Sequence, residues 1–218
     1  MSHSEPESQD YNRNVPLHER ERIVAHELGH FYQAHRLLVI NLDVTFGYHY
    51  AKPDDPVVER VLIRTTDGGA VAQSRTHGEI FIQRLDELVS CGSLDPYMAM
   101  KYRGCRLLGG GEMEKFLYGG ESQGDFDDVQ LLRWQLSQAW CLSDSNKQAL
   151  EDDIRSEVQR SLTLDVLQMI RCAVSVLARE HFNGRRTSGD VIHEILKGCQ
   201  HDTGTRTENR SDNQRSRI

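Results

Sequence analysis

No apolar run in the 218 residues approaches the ~18 needed to cross a bilayer as a helix, so no transmembrane segment is expected. The chain has no GxxxxGK(S/T) stretch, which excludes a P-loop and with it a built-in ATPase. Bases are scarce relative to acids: 26 Lys and Arg stand against 33 Asp and Glu, a formal net charge of −7. A nucleic-acid binder needs basic surface to displace counterions, so nucleic acid is not an expected partner. The five cysteines, Cys91, Cys105, Cys141, Cys172 and Cys199, include no CxxC pair and are odd in number. Free thiols in a reducing cytosol fit that pattern better than a disulfide framework. The opening MSHSEPESQDYNRN lacks the apolar core of a secretory signal, and a cytoplasmic location is the expectation. Mean hydropathy is −0.59, polar enough that part of the length reads as tail.

Residues 1–16 and 201–218 are rich in Ser, Asp, Glu, Asn and Arg and have no apolar period. Neither can bury enough surface to offset chain entropy, so both are expected to be disordered. The remaining 17–200 suffices for one domain with one core. Its pattern predicts a mainly α fold with a small β element. Val24, Leu28 and Phe31 mark a helix from Leu17 to Leu38. The aromatic and Pro-containing stretch 42–57 has no clear assignment, and 58–63 with 67–72 reads as strand, turn, strand. Helices are expected over 79–90 and 95–107, a break at Gly109-Gly110-Gly111, and helix again over 112–118. Gly119-Gly120 breaks the chain once more. A further helix should begin near Asp127, a long helix or bent pair should span 150–177, and Thr187 with Asp190 forms a weak capping box for a last helix over 188–198.

His26-Glu27-Leu28-Gly29-His30 is HExxH. Histidines at i and i+4 share one helical face, so both imidazoles can reach one metal ion. Glu27 projects about 100° away, where it can take a proton from activated water without ligating the metal. This is the layout of zinc metallopeptidases. A random chain of this composition would contain HExxH only about 0.03 times, which disfavours chance. A solvated helix with two surface histidines is disfavoured by the apolar neighbours Ile23, Val24, Ala25, Leu28 and Phe31.

A catalytic zinc site takes three protein ligands and leaves one position open. The metzincin extension would need Gly at 33 and His at 36, where the chain has Gln33 and Arg36. His35 is five residues past His30, faces elsewhere and reads as a surface residue. His49 is isolated, and His77, His181 and His193 read as solvated. The acidic turn Gly124-Asp125-Phe126-Asp127-Asp128 precedes an apolar-periodic helix. Capping and dipole compensation account for one or two of its carboxylates. A third is surplus and could join the histidines, though spacing does not choose among Asp125, Asp127 and Asp128.

Taken with LGGGEMEKFLYGGESQGDFDDV, the HELGH motif resembles the peptidase domain of the FtsH-type zinc metallopeptidases. That family's pattern runs approximately Gly-Gly-x-x-Ala-Glu-Glu, Phe-Gly, then Ser-Thr-Gly-Ala-x-Asn-Asp. Gly109-Gly110, Glu114, Tyr118-Gly119, Ser122-Gln123-Gly124 and Asp127-Asp128 fall on it without a gap. The last Asp is the family's third zinc ligand, so the resemblance implies Asp128. VERVLIRTTDGGAVA is similar to the strand-turn-strand lining the peptide edge, and SVLAREHFNGRRTSGDVIHEIL to the closing helices, which extends the likeness over about 20–197. The chain departs at HELGH, where HEAGH is usual, and at Met113-Glu114-Lys115, which keeps only the first acid of Ala-Glu-Glu. Only about 20 residues precede the motif, so the family's ATPase, membrane helices and hexameric ring are not carried over.

The resulting expectation is a zinc-dependent endopeptidase with one Zn2+ per chain, ligated by His26, His30 and Asp128, with Glu27 as general base. Its substrate would be flexible or unfolded polypeptide, added as a strand near 58–73. Two alternatives stand beside it: a non-catalytic zinc adaptor or regulator, and a peptidase subunit gated by an ATPase partner in trans. Tyr48, His49 and Tyr50 are the candidates for stabilising an oxyanion. Trp134, Trp140 and the methionines are expected in the core, and Cys91 and Cys105 as buried thiols. The helix over 150–178 has apolar positions enough for a homo-oligomer interface as well as the core. The arginines of the C-terminal tail are offset by Asp202, Glu208 and Asp212, a weak partner signal.

Overall fold

The computed structural model describes residues 12, 14–49, 71–72, 78–120, 123–139 and 142–212. Helix α1 (Leu17–Leu38) starts after Pro16, whose fixed φ suits a helix entry. Residues 24–31 are buried without interruption, so this helix is enclosed on every side at its middle. It ends where Val39 turns left-handed, at φ 56° and ψ 40°. A β-branched residue is costly in that conformation. Strand β1 (Val44–Thr45) and β2 (Tyr48–His49) follow, separated at Gly47, whose φ of 107° favours glycine.

β2 pairs antiparallel with β3 (Val71–Ala72), Tyr48 opposite Ala72. Residues 42–49, which the sequence pattern left unassigned, thus supply strands, whereas the expected strand at 58–63 and its turn lie outside the described residues. α2 (Gly78–Ser90) follows the expected helix closely. α3 (Pro96–Tyr118) is capped by the Asp95 carboxylate, which accepts from the Tyr97 and Met98 amides at 2.8 and 3.3 Å.

The expected break at Gly109-Gly110-Gly111 is wrong: α3 runs through all three glycines. They make the helix thin where it crosses α1. A side chain at Gly29 would overlap the Gly109 carbonyl, and one at Gly109 would lie 2.6 Å from Gln33 Cγ. Close packing of two backbones outweighs the ~1 kcal/mol helix penalty of each glycine. Gly104 lets Ile154 lie against α3 in the same way. The helix stops at Gly119, φ 72°.

α4 (Gln123–Ser137) begins four residues before the expected start near Asp127, so Asp128 stands in its second turn rather than its first. α5 (Asp144–Ser161) and α6 (Leu164–Glu180) are a bent pair, meeting at 76°. β4 (Arg186–Thr187) pairs antiparallel with β1, and α7 (Gly189–Asp212) closes the described chain. Ser188 Oγ, not Thr187, caps it, accepting from Val191 N at 3.3 Å. Thr187 is committed to β4, and Asp190 bonds to Asn41 instead of closing a box. The helical backbone continues to Asp212, past residue 200 where a disordered tail is expected, because elongating a docked helix adds one hydrogen bond per residue fixed. At the other end, Asn12 and Val15 are buried, although they fall within the stretch 1–16 read as tail.

The described residues are thus mainly α, seven helices with two short antiparallel strand pairs. α3 packs on α1, α4 and α5, while α6 packs on α1 and α7. Leu28, Phe31, Phe81, Leu85, Leu108, Met113, Ile154 and Ile170 fill the centre. The buried Glu112 is matched by Arg155 and by Gln159 Nε2, the latter at 2.9 Å. No single helix among the described residues is long and apolar enough to cross a membrane.

Three expectations about side chains need correction. Trp134 is 60% exposed rather than in the core, because α4 turns that face away from α3; Trp140 lies outside the described residues. Cys91 is exposed at the end of α2, while Cys105 is buried and its thiol pushed up to about 12 by that burial. Cys172 of α6 and Cys199 of α7 are disulfide-bonded, not free, since the packing of these two helices brings their Cα atoms to 5.8 Å.

Candidate metal centre

The HExxH motif lies at the enclosed middle of α1, where α3 crosses it. His26 and His30 stand one turn apart, and the small Gly110 of α3 gives their rings room. A Cβ on Gly110 would lie 2.6 Å from His30 Nε2 and 2.8 Å from His26 Nε2. α4 brings Asp128 to the same point. The separations are 3.1 Å between the two Nε2 atoms, 3.1 Å from His26 Nε2 to Asp128 Oδ2 and 3.2 Å from His30 Nε2 to the same oxygen. These three form a group of three potential ligands that could hold a metal ion. Ligand atoms on a tetrahedral zinc with bonds near ~2.0 Å lie about 3.3 Å apart, so the triangle has the right size.

The outer nitrogens decide which atoms face inward. His30 Nδ1 lies 2.8 Å from the Arg106 carbonyl, an acceptor only, so Nδ1 carries the proton and Nε2 the lone pair. His26 Nδ1 faces Glu114 Oε2 at 3.5 Å, which favours the same tautomer. Two imidazole lone pairs and a carboxylate oxygen therefore point at one another in a buried place. That arrangement could hold a cation between them.

In the metal-free protein a proton takes that part. Burial opposes charge on His26, yet its hydrogen bonds with Asp128 and Glu114 and the charges of Glu27 and Asp128 outweigh it and raise its pKa to about 10. Burial likewise opposes charge on Asp128, but His30 and His26 hold its carboxyl well below the usual carboxylate range. His26, Glu27 and His30 are buried and the Asp128 side chain is 19% exposed, so the centre meets solvent on the α4 side. Glu27 Oε2 is buried without a hydrogen-bond partner among the described residues.

Two α3 residues join the centre to which the sequence reading gave no role. Glu114 accepts from Arg22 Nε at 2.8 Å while facing His26, tying that ring to α1's own first turns. Arg106 supplies the carbonyl for His30 and lays its guanidinium 5.9 Å from the Phe81 ring centroid, within electrostatic reach of Asp128 and Glu27. Arg106, Gly110 and Glu114 are spaced i, i+4, i+8, one stripe of α3. The stripe exists only because α3 runs unbroken through its three glycines, where a break is expected from the sequence.

Other candidates are not brought together. Asp127 is exposed beside the centre, and the side chain of Asp125 lies outside what is described. Tyr48 and His49 contribute strand backbone; their side chains, Tyr50 and His77 are likewise outside it. His35 is half-buried and bonded to Asn41, away from the centre, and His181 and His193 are half-buried rather than solvated.

No family model matches the chain, and no curated protein or solved structure matches it. The likeness to FtsH-type peptidases therefore rests on the quoted motifs alone.

Proposed function

We propose that the chain is a zinc-dependent endopeptidase, with one zinc ion held by His26, His30 and Asp128. The observation that carries this reading is the convergence of two Nε2 lone pairs and Asp128 Oδ2 within 3.2 Å, with an unpartnered buried Glu27 carboxylate oxygen beside them. A zinc ion there would polarise a scissile carbonyl and acidify water.

The chain's own residues supply the rest. Glu27 accepts the proton of the attacking water as its oxygen bonds to the carbonyl carbon. It then passes that proton to the amide nitrogen as the C–N bond breaks. Glu114, braced by Arg22, and the Arg106 carbonyl keep both Nδ1 protons outward, so both Nε2 atoms stay available. A structural zinc site closes its fourth position and has no use for Glu27, which is why catalysis is preferred to an adaptor role. Flexible polypeptide is the proposed substrate, paired as a strand near β3.

The test is cleavage of casein by zinc-loaded protein with Glu27→Gln run alongside. Wild-type cleavage that the variant lacks supports the reading. Equal cleavage by both removes Glu27 as base. Absence of cleavage by either, with zinc bound to both, favours the adaptor or the ATPase-gated subunit.

A further inference from the structure

A second histidine pair stands where α1 ends and α7 begins. His35 of α1 and His193 of α7 have ring centroids 4.7 Å apart, tilted by 41°. The His26–His30 pair has the same 4.7 Å separation. Two imidazoles on one ion with metal–nitrogen bonds of ~2.0–2.1 Å put their centroids about 5 Å apart, and the 4.7 Å between the His35 and His193 rings falls near that separation.

The hydrogen-bond chain behind His35 assigns its tautomer. Asp190 Oδ1 accepts from Asn41 Nδ2 at 2.9 Å, and a carboxylate can only accept, so the Asn41 amide is fixed with Oδ1 on its other side. That oxygen lies 2.9 Å from His35 Nδ1, which must then be the donor. Nε2 of His35 is left with the lone pair. A ligand histidine is characteristically held this way, its second nitrogen donating to an oxygen that is itself braced. Burial holds the His35 ring below its ordinary pKa, the Asn41 bond works against that, and the neighbouring His193 adds to it. That lowering favours the neutral ring, whose lone pair can bind a cation.

The helix that carries the partner ring is anchored at its start. Gly189 N donates to Asp43 Oδ1 at 2.9 Å, and Arg186 Nε donates to Asp43 Oδ2 at 2.6 Å. A side chain at Gly189 would overlap the Asn41 carbonyl, so α7 starts flush against the segment that follows α1. His193 stands one turn into α7 from these contacts. Both histidines are half-buried, which leaves the pair open to a solvent ion.

We infer that His35 and His193 form a second metal site, separate from His26, His30 and Asp128, for a borderline divalent cation of the zinc type. Imidazole suits such ions, and water completes the coordination. The bound ion ties α7 to the C-terminal end of the helix that carries HExxH. With two protein ligands against three, this site is the weaker one.

The test is calorimetric titration of Zn2+ into the metal-stripped full chain. The expected result is two binding steps in wild type, with the weaker step missing in His35→Gln and in His193→Gln and the tight step retained. The retained tight step doubles as the check that each variant folds, and His193, on the last helix, can be replaced independently should His35→Gln disturb α1. The weaker step should also raise the melting temperature of wild type and not of His193→Gln. A single step in wild type that does not depend on His35 or His193, or a weak step that survives both substitutions, overturns the inference. His26→Gln keeps the two proposals apart: it should abolish the tight step alone. Failure of the first metal centre would leave one step that depends on His35 and not on His26.

Discussion

Replacing Gly110 with alanine tests whether the glycines of α3 serve the metal centre or only the helix crossing. The added Cβ would stand 2.6 Å from His30 Nε2, 2.7 Å from His30 Cε1 and 2.8 Å from His26 Nε2. Favourable carbon contacts begin near ~3.5 Å, so each ring must retreat by about 0.7–0.9 Å. Metal sites tolerate ligand displacements of about 0.2 Å. Altering a mere supporting contact typically costs about 10–100-fold in metal affinity, and here two of three ligands are displaced, so a loss above about 100-fold is expected. Helix propensity works the other way, since alanine is better than glycine by ~1 kcal/mol in a helix interior. The assay is chelator competition for zinc, with far-UV circular dichroism to show that α3 persists. Zinc affinity equal to wild type in Gly110→Ala would refute the reasoning, because the rings could not then be where the alanine methyl must go.

Glu114→Gln removes the carboxylate that faces His26 Nδ1 and should weaken zinc binding about 10–100-fold without unfolding the chain, measured by the same competition. Without metal, the raised pKa of His26 makes folding stability depend on pH: its contribution is complete below the unfolded value of 6.5 and is lost as pH rises toward about 10. The melting temperature of chelator-treated protein should therefore fall across that range, and zinc-loaded protein should fall less. Val39→Gly relieves a left-handed β-branched residue that is 80% exposed, and should gain about 0.5–1 kcal/mol, read as an upward shift in denaturant midpoint. Cys172→Ser opens a crosslink spanning 27 residues and should cost about 3.5 kcal/mol in the same measurement under non-reducing conditions, with no difference after reduction.

Helix α1 and the placement of His26, Glu27 and His30 were legible because they depend only on local periodicity: an apolar stripe and an i, i+4 pair. The errors arose where tertiary contact overrides local preference. Three consecutive glycines read as a breaker by propensity, yet the crossing of α1 and α3 requires a surface with no side chains at that point. Helix α4 begins at Gln123, four residues before the start expected near Asp127, because the apolar period shows only from Val129 onward. The choice of Asp128 over its neighbours came from resemblance; spacing did not make it, and only the fold brings an oxygen from 98 residues past His30 to within 3.2 Å of it. Cys172–Cys199 and His35–His193 join separate helices, so no spacing rule could have found them.

The central claim is that His26, His30 and Asp128 bind zinc through the atoms that converge. Anomalous diffraction collected on either side of the zinc absorption edge, from crystals of the zinc-loaded protein, tests it directly. The account predicts a peak within ~2.0–2.2 Å of His26 Nε2, His30 Nε2 and an Asp128 oxygen, with Glu27 beside the metal rather than on it. A zinc-loaded crystal with no peak at that triangle, or with Glu27 in place of Asp128 as the ligand, would contradict it.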